Sequence, residues 1–387
     1  MPQISVKSLL VLCVITWLLL DLILITKLNI VRLYPIFPAN FYFSYGSIAV
    51  YALLAVSLIS CVKTLNRLPL IYVGFVIYSV FIGILYGNNN AVSDVQNWAL
   101  GAFCLIIFSI PEVMKAIVNL KSYLLHTVLF SEILIAVVLV LFPGLLGFSG
   151  YGLGVPAYLL AYYLARANYV LAIFSFILTV HQGKRGFILS AVVLVLVALY
   201  MKDKKSFKVI MAAGIASIIF VAFNLTDYKS MFGPIMVDLV DKGDIIGIVQ
   251  FLSHGRVYEL LDSLKLFEGV KWITGLGVGF EFERFAYNGN SKGMTGYVHS
   301  TPFNYYLVGG VLGLAFIAIS IWRSFINGLR VARVFGRYEP LFISVIAFCS
   351  CFFSFWSAVS PWFWIFIAFG ITSTNSIIYN NDNLNLK

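Results

Sequence analysis

The stretch LLGFSGYGLGVPAYLLAYYLARANYVLAIFSFILTVH, residues 145–181, decides how the chain is threaded. It is longer than the roughly 20 apolar residues that cross a bilayer. Counted as a single span, it would carry the chain so that MKDKKSFK, residues 201–208, faced the outside. That is the most basic short connection in the sequence, and cytoplasmic loops are the ones that gather Lys and Arg. A break at ARAN, residues 165–168, removes the conflict by giving two short spans, about 149–165 and 168–182. Arg166 and the later KDKK then share the cytoplasmic side.

Outward from this break the remaining apolar runs fall at about 8–26, 43–62, 68–86, 97–112 and 122–142 before it, and at 187–200, 209–225, 302–322, 340–358 and 361–378 after it. The sequence therefore predicts an all-α integral membrane protein of about 12 transmembrane helices, with both termini cytoplasmic and one long, partly helical periplasmic loop. The expected organisation is a nine-span region over 1–225, the loop over 226–301, three spans over 302–378 and a tail over 379–387. Lys63, Arg67, Lys115, Lys121, Arg323, Arg330, Arg333 and Arg337 all fall on the cytoplasmic side. Short outer connections hold only Lys27, Arg32, Lys184 and Arg185. The first run follows Lys7, is interrupted by Asp21 and lacks a small-residue cleavage site, so it reads as an uncleaved span.

Composition agrees. The 387 residues are 61% hydrophobic and 11% charged, where soluble domains carry roughly 25% charged residues. The net charge of +10 lies in loops beside apolar runs, where it orients spans and does not call for nucleic acid. All five cysteines fall in predicted spans, and neither a disulfide framework nor a metal site is indicated. Cys349 and Cys351 point to different helix faces and read as packing.

Chemistry concentrates in the loop, which holds nine of the sixteen acidic residues and two of the four histidines, His254 and His299. In SHGRVYELLDSLKLFEG, Ser253 is a natural N-cap, and Val257, Leu260, Leu261 and Leu264 recur at helical spacing. Arg256 stands where a capping box would want Glu or Gln, and a cation there opposes the helix dipole. It is either a solvated surface charge or, with the free N–H groups, an anion site. Arg185, in GKRGF, stands outside at a helix start. There it either snorkels to ordinary headgroups or holds a lipid phosphate bidentately. TGLGVGFE brings Gly275, Gly277 and Gly279 in alternation and reads as a tight turn, since no strand–helix context or following Lys-Ser/Thr makes it a phosphate loop.

His299, three residues before Pro302, sits where the loop enters the next span. A neutral imidazole has an unperturbed pKa of about 6.5 and can accept a proton near neutral pH. It reads either as an interfacial cap or as a general base. Glu132, near the middle of a span, is expensive as a charge and is paired, protonated or lining a polar cavity. His126 and His181 lie near span ends and read as interfacial.

The ordered set GKRG, SHGRVYELL, TGLGVGF and HSTPFNYYLVGGVLGL resembles the O-antigen polymerase and O-antigen ligase superfamily, and most closely Wzy-type polymerases. The likeness covers about residues 180–320 in motif detail. Arg185 with Gly186, Arg256, the glycine turn and His299 match the family pattern in order, while Ser300 stands where members carry Asn. The resemblance implies a metal- and cofactor-independent glycosyltransferase that uses undecaprenyl-pyrophosphate-linked oligosaccharides on the periplasmic face of the bacterial inner membrane. In it, Arg185 and Arg256 bind the lipid pyrophosphate and His299 is catalytic. Membrane lipids, a chain-length regulator and a flippase are the implied partners. A ligase moving glycan from the same carrier to another acceptor shares these motifs. A lipid-linked oligosaccharide flippase or other transporter would instead call for charges along a central cavity and near-symmetric halves.

Overall fold

The structure, a computed structural model, describes residues 67–90, 155–181, 185–202, 242–244, 256–285, 291–296, 298 and 300–353, with single positions between 95 and 133, 204 and 208, and 363 and 371. The expected spans at 8–26, 43–62 and 209–225 lie outside the described residues. The described chain is mostly helical: α1 (Arg67–Leu85), α2 (Val155–Ala165), α3 (Tyr169–His181), α4 (Arg185–Lys202), α5 (Arg256–Leu264), the single turn α6 (Lys271–Thr274), α7 (Thr301–Phe335) and α8 (Glu339–Phe353).

Two helices, at Leu68–Leu85 and Thr301–Phe335, are long and apolar enough to cross a membrane, and shorter apolar helices run over Tyr169–Val180, Gly186–Lys202 and Glu339–Phe352. These helices bury one apolar face and leave another exposed. Large apolar side chains such as Ile77, Phe81, Val170, Ile173 and Leu312 face outward, while Ser79, Ser175, Ser190, Ser320, Ser324 and Ser344 are buried. Small and hydroxylated residues let helix backbones approach where apolar surface alone gives no driving force. Ser324 and Ser344 show it, with their hydroxyls hydrogen-bonded at 2.8 Å between α7 and α8.

The predicted break at ARAN is present as a chain reversal. Asn168 N–H donates to Tyr163 O and Ala167 N–H to Leu164 O, the paired bonds of a Schellman ending, with Ala167 left-handed at φ 56. The Asn168 side chain then accepts from Leu171 N–H and caps α3. Lys202, at the end of α4, donates to the last carbonyls of α2 at Leu164 and Ala165 and stands 5.5 Å over the Tyr338 ring. One end of the molecule thus collects Arg166, Lys202 and the α7–α8 turn. It also takes in the last turns of α7, where Arg330 and Arg333 sit. The span expected at 302–322 instead continues as helix to Phe335, so Arg323, Arg330 and Arg333 ride on α7 and only Gly336–Tyr338 form the loop.

At the core, α1 and α7 meet through aromatic rings. Tyr72, Phe75, Trp98, Tyr305, Phe316 and Trp364 pack together, and the Tyr72 and Tyr305 hydroxyls bond at 2.7 Å. Gly309 leaves the space for Phe75, since a β-carbon there would lie 2.2 Å from its ring.

The loop corrects the all-α expectation in part. It carries a two-stranded antiparallel hairpin, β1 (Phe282–Phe285) and β2 (Ser291–Thr295), in which Phe282 faces Thr295 and Glu283 faces Met294. An irregularity follows Glu283. Asn288-Gly289, between the strands in sequence, is the strongest short hairpin signal a chain can carry.

Candidate functional site: the loop-to-bundle junction

Helix α7 is broken at Gly310, whose φ 58 and ψ −141 interrupt the helical ladder. In an unbroken helix Val311 and Leu312 would donate to Leu307 and Val308. The loop donates to those same carbonyls: Leu276 N–H to Leu307 O at 2.6 Å and Gly277 N–H to Val308 O at 3.0 Å. Val278 N–H then reaches Ser79 O on α1 at 2.9 Å, and the Asn88 side chain donates to both Leu276 O and Val278 O. Non-helical backbone among apolar spans is tolerated where protein satisfies it in this way.

The alternation in TGLGVGF explains the fit. Gly275, Gly277 and Gly279 all have positive φ, near 80°, which side-chain-bearing residues rarely adopt. The intervening Leu276, Val278 and Phe280 are buried. The glycine turn is therefore a backbone plug seated between α1 and α7. Around it, Tyr78 donates to Thr274 O, Tyr306 donates to Trp272 O, and the Asn90 side chain donates to the Glu281 carboxylate at 2.7 Å. Lys271 stands 5.4 Å over the Tyr86 ring. Val270, Trp272 and Ile273 are exposed, next to the outward apolar face of α7 at Val311 and Leu312.

The predicted site residues take these places. Arg185 is the first residue of α4, with no acidic residue in the first turn. The helix runs about 25 Å from there to the Lys202 end, so Arg185 stands at the end of the bundle that bears the loop. Arg256 is the first residue of α5, and Glu259 is in that first turn. The side chains of both arginines, and His299, His254, Ser253 and Glu132, lie outside the described residues. The main packing partners of the two arginine helices differ: α4 rests on α8, α2 and α3, and α5 on β1.

Two features went unread in the sequence. Helix α5 forms where the apolar residues recur, and within it Glu259, Asp262 and Ser263 are buried while Leu261 is exposed. Asp262 accepts from Lys265 at 2.6 Å through one oxygen, while the other is buried without a partner. A half-satisfied buried carboxylate is costly. The second feature is Asn304, buried in the first turns of α7, whose side-chain oxygen accepts from Val298 N–H at 3.0 Å. Its amide nitrogen donates to Val298 O and, at 2.8 Å, to Ser300 O.

No protein-family model matches the chain, no curated protein matches its sequence, and no solved structure matches its fold.

Proposed function

We propose that the chain is a multi-pass inner-membrane polymerase that joins undecaprenyl-pyrophosphate-linked oligosaccharide repeat units on the periplasmic face. The observation that carries this reading is the backbone plug at Gly275–Val278. It welds a long polar loop to the bundle end opposite the basic one, and in this reading a lipid-held donor and a water-borne glycan meet there. Outside the cytoplasm the donor must arrive already activated on lipid, and its leaving pyrophosphate needs cations.

Arg185 and Arg256 each open a helix, where unpaired N–H groups and the dipole favour an anion. In this reading they hold the pyrophosphate. The acceptor hydroxyl gives its proton to the His299 imidazole as its oxygen attacks C1 of the donor sugar. The C1–O bond to phosphate breaks and undecaprenyl pyrophosphate leaves with the bonding pair. General-base assistance of this kind contributes about 10²–10⁴-fold.

The test is direct. Purified full-length protein reconstituted in sealed lipid vesicles is given undecaprenyl-pyrophosphate-linked repeat units alone. A ladder of extended lipid-linked glycans with stoichiometric release of undecaprenyl pyrophosphate is the expected result. Transport across vesicles without any glycan extension would overturn the reading.

A further inference from the structure

The side chain of Asn304 bonds the main chain on both sides of position 299. Its oxygen takes the Val298 N–H, and its nitrogen gives hydrogens to the Val298 and Ser300 carbonyls. The Asn304 N–H also donates to Ser300 O at 3.0 Å. The clamp is built to be rigid. Asn304 is 1% exposed and Val298 2% exposed, so water does not compete for the bonds between these two. Ser300, at the N-cap position with extended φ −149 and ψ 120, makes no side-chain cap bond of its own. The usual way of ordering a helix entry is thus replaced by an amide reaching back from one turn inside the helix. An amide is the side chain that can do this, because it offers an acceptor and two donors from one plane.

We infer that Asn304 is a positioning residue for His299, holding the main chain at the residues on either side of it. The inference rests on the reading of His299 as the base. Two neighbours make the clamp a fixed reference: Tyr305 is bonded to Tyr72 in the aromatic core, and Leu307 and Val308 hold the plug. Val298 and Ser300 are thereby tied to α1, α7 and the glycine turn together. A misplacement of about 1 Å in a catalytic group can cost about 100-fold in rate, so a clamp of this kind is a kinetic device.

The experiment separates the clamp from the base. Full-length wild type, Asn304→Ala and Asn304→Asp are purified in detergent. The last variant matches Asn in size and still accepts from Val298 N–H, but has at most one hydrogen to give where Asn offers two. Carbethoxylation of each histidine by diethyl pyrocarbonate is followed by peptide mass spectrometry, with His126, His181 and His254 as internal references. Extension kinetics on lipid-linked repeat units are measured on the same samples.

The expected result is a several-fold change in the His299 rate in whichever variant stays folded, with the other three histidines unchanged. The kcat should fall about 100-fold while KM holds. An unchanged His299 rate in a folded variant overturns the positioning role. A changed His299 rate with undiminished kcat leaves the clamp in place and overturns the assignment of His299 as the base.

Discussion

Gly277 of the loop lies back to back with Gly83 of α1: a β-carbon on Gly277 would stand 2.1 Å from the Gly83 nitrogen, and one on Gly83 would stand 2.3 Å from Val278 O. The two glycines let a loop and a helix touch backbone to backbone, and the loop's register against both α1 and α7 follows from that contact. Asn88 reinforces it from a second Schellman ending, in which its N–H bonds Gly83 O and Gly87 is left-handed.

Gly277→Ala therefore meets two obstacles, a positive φ of 77° and a backbone collision. Gly293 has the same handicap of conformation, φ 86°, but open space around it. Gly293→Ala is expected to cost only the left-handed strain, about 1–2 kcal/mol. Gly277→Ala is expected to exceed it clearly and to abolish stable folded protein. Thermal unfolding followed by size-exclusion fluorescence compares the two. Equal losses would mean that the close approach contributes nothing.

The turn between α2 and α3 makes the opposite prediction. Ala167 holds a left-handed conformation that favours glycine. Ala167→Gly should stabilise the protein by about 1 kcal/mol, raising Tm by about 1–2 °C. A lowered Tm would contradict the assigned backbone.

That turn shows what a sequence makes legible. ARAN was located by the charge of distant loops, and its own residues agree, with Asn168 as a cap and Arg166 over the Tyr162 ring at 4.7 Å. The alternating glycines were readable as a tight turn, but not their docking on Gly83 and the broken α7, because backbone pairing across some 190 residues leaves no local pattern. The α7 extension past 322 was missed because arginines read as loop, although a helix carries them equally well beyond its apolar turns. Asp262 was missed for a different reason. Helical periodicity ranks residues by apolarity, and α5 buries two acidic residues, Glu259 and Asp262. Asn304 carries no signal in the sequence, since only the fold brings its side chain back to Val298.

The opposite ends of the bundle predict a topology. Reporters fused after Lys205 and after Arg337 should be active only in the cytoplasm, and one inserted at Asn288-Gly289 only in the periplasm. A periplasmic signal after Lys205 would break the twelve-span threading.

The two helix-opening arginines predict a charge-independent defect. Arg185→Lys and Arg256→Lys keep the positive charge but lose bidentate geometry, which a point charge cannot replace. Polymer length profiles in cells carrying either variant should shift to short chains. Near-normal long chains in both would leave the arginines as surface charges.

The central claim is that His299 takes the acceptor's proton in a glycan-extending reaction. His299→Gln keeps hydrogen bonding and similar size but cannot be protonated near neutral pH, so the purified variant should stay folded and lose about 10²–10⁴-fold in the extension of lipid-linked repeat units. Extension by His299→Gln at close to the wild-type rate would contradict the account.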